Sequence, residues 1–424
     1  MATITGTDDD DDLQGGAEQD QIDGRGGDDV IHGGDETDRL KSGTGADSLW
    51  GDAGVDNLYF GPDFGIGDFA NGGADFDGLV LQGNYVLTFG DNAIAEVESL
   101  QLLTGGYPSW GDTANNFYDY DITMADGNVA AGQQLRIDGW MLRAGEDLTF
   151  DGSAETDGSF LVWAGRGVDD LTGGDGVDVF LFENDRWGPN DRVDGGPGRD
   201  AVVINAERGL LRVEFGSDSL TGIESISLNP QNGLFRSPQA SYEIVLSNGN
   251  ASQAGGTLIV NGSSVGTGRS VIIDGRGVQD GNLILFGGAG HDVIRGGGGA
   301  DLIFGALGQD SLFGAGGADT YRYDSVSDSL MSRPDLISGF VSGLDKIDLS
   351  RIDANVLVGG NQAFSWIGSG AFAGTGAASA GQLRTYESEG YRWIEGDTDG
   401  NGDPEFAIRF QLGTAPLAQG DFIL

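Results

Sequence analysis

Apolar residues recur along this chain with a spacing of nine. From Gly6 to Tyr59 the sequence divides into six nonapeptides, GTDDDDDLQ, GGAEQDQID, GRGGDDVIH, GGDETDRLK, SGTGADSLW and GDAGVDNLY. Their eighth place is always aliphatic: Leu13, Ile22, Ile31, Leu40, Leu49 and Leu58. Their sixth place is always Asp: Asp11, Asp20, Asp29, Asp38, Asp47 and Asp56. A degenerate copy, GGADFDGLV, keeps Asp77 and Leu79 in register. A second block holds AGRGVDDLT, GGDGVDVFL and, after a spacer, GGPGRDAVV, with Asp169, Asp178 and Asp200 in sixth place. The third block, GGAGHDVIR, GGGGADLIF, GALGQDSLF and GAGGADTYR, places Asp292, Asp301, Asp310 and Asp319 there. A flexible glycine-rich linker has no reason to keep this register.

Positions seven to nine predict a short strand with one inward side chain, and positions one to six a glycine-rich turn that uses φ > 0. Two nonapeptides then form one coil of an all-β, parallel β-roll (a β-helix), so that alternate repeats stack about 4.8 Å apart. A Ca²⁺ ion takes six to eight oxygens at about 2.4 Å. One ion between two stacked turns reaches a sixth-place Asp from each. Glycine carbonyls are the expected remaining ligands: Gly16, Gly27, Gly34, Gly45 and Gly54 in the first block, Gly165, Gly167, Gly174 and Gly176 in the second, and Gly288, Gly290, Gly297, Gly299, Gly308 and Gly317 in the third. Without the ion, neighbouring Asp residues repel by roughly 1 kcal/mol per pair in water and ~3–4 at an effective dielectric of 20. The short strands bury too little to overcome that, so the expected fold is conditional on several Ca²⁺ ions.

The blocks end alike, in GDFANGG, NDRVDGG and PDLISGF, where Asp68, Asp191 and Asp335 either bind the last ion of each roll from across its edge or cap a turn. Two spacers share the phrase Val97–Leu100 and Ile223–Ile226, which points to a duplication. Their apolar–polar alternation, with turns at Gly, Asn and Asp, predicts antiparallel β modules. The stretch Val278–Phe286 keeps Leu285 in register but has Leu283 where Asp belongs, so it adds a coil without completing an ion site. The predicted organisation is a first roll (1–80), a β module (81–162), a second roll (163–204), a second module (205–286), a third roll (287–348) and a C-terminal β cap (349–424).

Composition narrows the function. The 424 residues carry 22 Lys+Arg against 67 Asp+Glu, a net charge of −45, with 78 Gly, 9 Pro, 2 His and no Cys. Such a surface repels nucleic acid. Zinc-thiolate and disulfide scaffolds need Cys. No run is long enough for a membrane-spanning helix, and the opening MATITGTDDD has neither the basic nor the apolar region of a cleaved Sec signal. Collagen needs more proline, and 38 % hydrophobic residues argue for packed cores rather than disorder.

The repeat has the form GGxGxDxUx and resembles the repeats-in-toxin (RTX) calcium-binding repeat. The stretch Asp319–Leu424, with GQLRTYESEGYRWIEGDTDGNGDPEFAIRFQLG near its end, resembles the C-terminal region of serralysin metalloproteases. That resemblance implies a cap on the Ca²⁺ roll and an uncleaved signal for a type I secretion transporter. The ending Asp421-Phe422-Ile423-Leu424 matches the family's acidic-plus-three-apolar terminus. It further implies a Gram-negative bacterium and export to the outside.

The protease part of the resemblance is missing. His32 and His291 are the only histidines and neither begins HExxH. The string Gly262-Ser263-Ser264-Val265-Gly266 has the form of a lipase elbow, but a strand pattern follows it, so a Ser/Gly hairpin is expected. Asp397-Thr398-Asp399-Gly400-Asn401-Gly402 resembles the start of an EF-hand loop, with Ile408 where Glu should close it; an isolated Ca²⁺ contact and an acidic hairpin turn are the alternatives. Trp110, Trp140 and Trp187 are candidates either for sugar stacking or for edge packing. The expected protein is secreted, non-enzymatic and Ca²⁺-binding, a structural, surface or matrix component capable of self-assembly. Its alternatives are a module binding extracellular or cell-surface polysaccharide and a hydrolase of unrecognised type.

Overall fold

The computed structural model describes residues 2–228, 239–251, 256–376, 378–411 and 415–424. The chain divides into two compact units, Met1–Val202 with Thr221–Ile223, and Val203–Leu220 with Glu224–Leu424.

In the first unit, successive nonapeptides send their strands to alternate faces. Gln21–Gly26, Arg39–Thr44, Asn57–Gly61 and Gly78–Leu81 form one parallel ladder. Asp12–Gly16, Val30–Asp35, Ser48–Ala53 and Phe69–Asn71 form the other. The register pairs Ile22 with Leu40, Leu40 with Leu58 and Leu58 with Leu79, one coil per two repeats. Their side chains stack into the buried interior, with Ile31, Leu40, Leu49, Leu58 and Leu79 wholly buried. Position two lies in the left-handed region at Arg25 (φ 78°), Gly34 (φ 106°) and Asp52 (φ 68°), which turns the chain out of the strand.

The spacers correct the expectation of antiparallel modules. Tyr85–Thr88, Tyr120–Thr123, Leu148–Asp151, Asp169–Thr172 and Arg192–Asp194 are joined in parallel. So are Gly78–Leu81, Ser99–Leu102, Gln134–Asp138, Ser159–Trp163 and Val179–Glu183. A strand with one face inside and one in solvent alternates in the same way whichever direction its neighbour runs. The Gly/Asn/Asp clusters are corners of a coil rather than hairpin turns. Larger side chains fill these coils, with Phe150 and Phe160 edge to face at 5.0 Å and Tyr85 stacked on Tyr120 at 5.9 Å.

The second unit has the same plan. Arg208–Glu214, Gln239–Val245, Val271–Asp274, Val293–Arg295, Ser311–Phe313 and Asp335–Ser338 form one parallel ladder. Thr257–Asn261, Asn282–Phe286, Leu302–Phe304, Thr320–Arg322, Lys346–Asp348 and Phe422–Ile423 form the other. The Val278–Phe286 stretch thus adds a coil, with Leu283 and Leu285 both buried. An antiparallel meander of Gln382–Ser388, Tyr391–Asp397 and Phe406–Gln411 joins in parallel to Asp335–Ser338.

Candidate metal centres

Apart from Asp11 and Asp169, each sixth-place Asp spends one oxygen on the coil before it. Asp29 Oδ1 accepts the N–H of Asp11 at 2.8 Å, Asp47 that of Asp29 at 2.9 Å and Asp68 that of Asp47 at 2.7 Å. The parallel row runs from Ala2 and Asp20 through Asp38, Asp56 and Asp77. In the second block Asp178 accepts from Phe160, Asp200 from Asp178 and Asp191 from Asp169. In the third, Asp292 accepts from Val271, Asp310 from Asp292, Asp335 from Asp310, Asp301 from Leu283 and Asp319 from Asp301. A second ladder runs the opposite way at fifth place, where Asp10 accepts from Asp28, and Asp28 from Ala46. Each such coil is therefore clasped from both sides.

The other oxygen of these carboxylates is the exception. Among the described residues, Oδ2 of Asp29, Asp38, Asp56, Asp77, Asp310 and Asp335 is buried with no hydrogen-bond partner, as are both oxygens of Asp169. Elsewhere Oδ2 receives a turn N–H, from Thr7 at Asp11, Gly16 at Asp20, Gly174 at Asp178, Gly288 at Asp292 and Gly297 at Asp301. A buried acceptor left unmatched is costly.

First-place glycines show what lies around these oxygens. A Cβ on Gly33 would stand 2.7 Å from Asp38 Oδ2 and 2.7 Å from the carbonyl oxygen of Gly51, one coil on. At Gly296 the distances are 2.2 Å to Asp301 Oδ2 and 2.6 Å to the Gly314 carbonyl. Gly173 and Gly287 repeat the arrangement. A carboxylate and a carbonyl oxygen thus converge on a space that only glycine keeps open. That donor set, all hard oxygen, fits Ca²⁺.

The glycines singled out from the sequence take other places. Gly16, Gly174, Gly288 and Gly297 donate their N–H groups to the row. A Cβ at Gly34 would lie 2.1 Å from the Gly16 carbonyl, and one at Gly165 3.5 Å from Asp169 Oδ1. At fourth place, Gly45, Gly54, Gly167, Gly176, Gly290, Gly299, Gly308 and Gly317 each face a carbonyl of the coil before, at 1.5–2.0 Å from an added Cβ, and Gly27 faces the backbone of Asp9. Their glycine character serves close stacking. First place, which the sequence reading passed over, is where carbonyl and carboxylate meet.

Asp68, Asp191 and Asp335 do not reach across an edge; they continue the same rows. Asp68 and Asp191 also cap their turns, accepting from Gly65 and Gly188 at 2.7 Å. Three carboxylates in related places escaped the nine-residue period. Glu98 accepts from Asp77, and Asp345 from Asp319, but coils lengthened to 21 and 26 residues hide them. Glu155 is wholly buried, caps Gly158 at 2.7 Å and leaves Oε2 without a partner.

Burial raises the pKa of many of the row aspartates. It pushes Asp56 up to about 7, Asp47 and Asp77 to about 6, and Asp169 to about 8, with neighbouring carboxylates adding to it. In the third block Asp292 and Asp301 rise to about 6 and Asp319 to about 7 for the same first reason. Burial and then the charge of Asp335 raise Asp310. Mutual repulsion, expected from the sequence to dominate, is second to desolvation.

The remaining candidates fall outside this pattern. His32 Nδ1 lies 3.1 Å from the Asp52 carboxylate, and His291 Nδ1 accepts from Gln309 at 2.8 Å; they belong to different units. Gly262–Gly266 is a coil corner rather than a hairpin. Val265 donates to the Gly262 carbonyl, Ser263 Oγ donates to Asn261, and the strand Val271–Asp274 follows. Asp397, Asp399 and Glu405 come together in the hairpin between the last two meander strands, where Asp397 accepts from Gly400, Gly402 and Ser379. Trp187 packs edge to face on Phe182, and Trp140 is exposed. At the terminus, Asp421 accepts from Gly343 and Ala418, and Phe422 pairs with Ile347.

Residues 243–424 match the family model of the peptidase M10 serralysin C terminus. Residues 5–40, 32–65 and 161–181 match that of the RTX calcium-binding nonapeptide repeat. No curated protein matches the chain. The chain thus carries RTX-type calcium-binding repeats wound into a parallel β-roll, and a C-terminal region of the serralysin type.

Proposed function

We propose that the rolls are Ca²⁺-conditional folding elements of an exported, non-enzymatic protein with a structural, surface or matrix role. Asp29, Asp38, Asp56, Asp77, Asp169, Asp310 and Asp335 would hold the ions through their unmatched oxygens, with first-place carbonyls such as Gly51 and Gly314 completing the shell. Bound Ca²⁺ supplies the positive charge that these buried carboxylates otherwise lack. The chain's own groups do the rest. Oδ1 fixes each Asp to the preceding coil, and glycine keeps the ion space open.

The observation that carries this reading is the row of buried, partnerless carboxylate oxygens. Where Ca²⁺ is scarce, as in a cytosol, the acidic coils stay open and can thread a type I transporter. Millimolar Ca²⁺ outside closes them. The net charge of −45 supports a soluble partner-poor surface that repels nucleic acid and anionic membrane. Among the described residues no helix is long and apolar enough to cross a membrane.

Ca²⁺ titration of the full chain, followed by circular dichroism and light scattering, tests the reading. Ca²⁺-dependent gain of β structure, followed by assembly, is expected. Full β structure in excess chelator would contradict the folding switch, and a strict monomer at saturating Ca²⁺ would contradict the structural role. Binding to extracellular polysaccharide is the second reading, favoured by the exposed indole of Trp140. The corner geometry at Ser264 gives no support to a hydrolase.

A further inference from the structure

At many coil corners a side chain accepts an N–H from the next coil, and the acceptor is usually a carboxylate or an amide. In the first unit Asp10 and Asp28 do this, as do Asn84, Asp119 and Asp147. One corner of the second unit does the same work without acids. Ser241 Oγ accepts the N–H of Ser270 at 3.0 Å, and His291 Nδ1 accepts that of Gln309 at 2.8 Å. Hydroxyl and imidazole keep the ladder and leave out the negative charge.

A solvent-open cavity of about 260 Å³ lies over this corner. Arg269, Arg333 and His291 line it together with Ser241, Thr267 and Ser270, and among the described residues no carboxylate does. In a chain with 67 Asp+Glu against 22 Lys+Arg, that is a local reversal of charge. The nearby acids of these coils are turned into the roll: Asp292 and Asp310 are buried and accept the N–H groups of Val271 and Asp292. The three basic side chains come from different coils. Arg269 precedes the strand Val271–Asp274, His291 precedes Val293–Arg295 and Arg333 precedes Asp335–Ser338, with Ser311–Phe313 between the last two. At about 4.8 Å per rung the two arginines start ~14 Å apart, with His291 between them. Both arms nevertheless line one cavity, so they bracket His291 from either side.

We propose that this cavity binds a tetrahedral oxyanion, a sulfate or phosphate group, seated at His291 between Arg269 and Arg333. Guanidinium groups hold such oxygens by charge-assisted hydrogen bonds. Because Nδ1 of His291 receives the Gln309 N–H, the neutral ring has Nε2–H as its donor. A planar carboxylate offers two oxygens in one plane and suits a single guanidinium fork. Donors arriving from separate coils match four oxygens that point in different directions. No Trp, Tyr or Phe is among the described lining residues, so the recognised feature is the anionic group rather than a ring attached to it. The proposal goes beyond the Ca²⁺ reading and does not rest on it.

The two histidines make the test local, since His32 lies in the other unit. The full chain, labelled with ¹⁵N-histidine and held at saturating Ca²⁺, is titrated with sodium sulfate and, in parallel, with sodium acetate and sodium chloride at equal ionic strength. Sulfate should shift the His291 ring signals saturably and leave those of His32 in place. Acetate should bind at least about tenfold more weakly, and chloride should have no effect. Glucose sulfate separates the two sources of the group: a shift at similar concentration assigns an ester, and a shift by inorganic sulfate alone assigns the free ion. Arg269→Gln and Arg333→Gln should each weaken binding about tenfold, and Arg269→Lys should recover part of the loss. The Ca²⁺ midpoint of folding, read by circular dichroism, should stay in place in every variant, which separates this site from the folding switch. The proposal is overturned by a His291 signal that sulfate does not move, by equal shifts with acetate or chloride, or by binding that both arginine variants leave unchanged.

Discussion

Glu146 and Asp56 are both buried carboxylates of the first unit, and they have opposite fates. Glu146 lies in a spacer coil. Burial works to raise its pKa, but the Arg143 guanidinium, the Arg143 N–H, the Thr104 hydroxyl and the Tyr118 N–H outweigh it and hold the group below the usual range. Asp56 lies in a repeat coil, where one N–H, from Asp38, is its hydrogen-bond donor among the described residues, and its Oδ2 has no partner. Burial pushes it up to about 7. The backbone plan is the same, parallel strands in stacked coils. What differs is the source of positive charge: the spacer brings its own arginine, and the repeat leaves a place for a divalent ion. The spacer coils also carry aromatic cores, whereas repeat coils bury little more than one aliphatic side chain per nonapeptide. On the proposed reading, stability of the first kind is written into the chain, and of the second kind is borrowed from the solution.

The comparison is sharpest where the spacer's internal charge is removed. Arg143→Ala leaves Glu146 buried and short of its cation, and it should destabilise the first unit by about 2–3 kcal/mol, less than the roughly 3–5 of a fully buried pair because Arg143 is itself partly exposed. Thermal unfolding should show this loss at saturating Ca²⁺. A loss that additional Ca²⁺ restores would erase the distinction between the two kinds of coil.

Next in size are the rows themselves. Asp301→Asn and Asp310→Asn should each raise the Ca²⁺ midpoint of folding about tenfold, or about 1.4 kcal/mol. In chelator the same changes should not destabilise the chain, since they remove a carboxylate whose burial is unfavourable. Unchanged titration curves would mean that the ligands lie elsewhere.

The smallest expected effect is on pH. In the ion-free fold Asp47 and Asp77 are raised to about 6 and Asp56 to about 7, against about 3.9 in an unfolded chain. A raised folded-state value stabilises below the unfolded value and is lost as pH climbs through the folded one. The ion-free chain should therefore gain β structure on acidification from pH 7 toward 4. With Ca²⁺ present the dependence reverses in sign, because ions and protons compete, and the midpoint should rise as pH falls. Ellipticity measured across this range with and without chelator checks both directions.

Much of this was legible in the residues. The eighth-place aliphatics gave the coil interior, and the sixth-place Asp gave the rows, because a fixed period leaves each type one possible location. Spacer direction was not legible. Alternation reports which face is buried and says nothing about whether the neighbouring strand runs parallel, so Tyr85–Thr88 and Tyr120–Thr123 read as antiparallel. Glu98, Asp345 and Glu155 were hidden because insertions break the period while the coil absorbs the extra length. The meeting of first-place carbonyls with Oδ2 was not legible for a geometric reason: which carbonyl of a six-residue turn faces the next carboxylate depends on the stacking offset, and that offset is a property of the fold.

Hydrogen exchange of the full chain in saturating Ca²⁺ and in excess chelator tests the central claim most directly. Chelation should expose the turn amides of Asp29, Asp38, Asp47 and Asp56, which are held by sixth-place carboxylates, while amides of the spacer strands Tyr120–Thr123 and Leu148–Asp151 exchange far more slowly. Repeat amides that stay as protected in chelator as in Ca²⁺ would contradict the account.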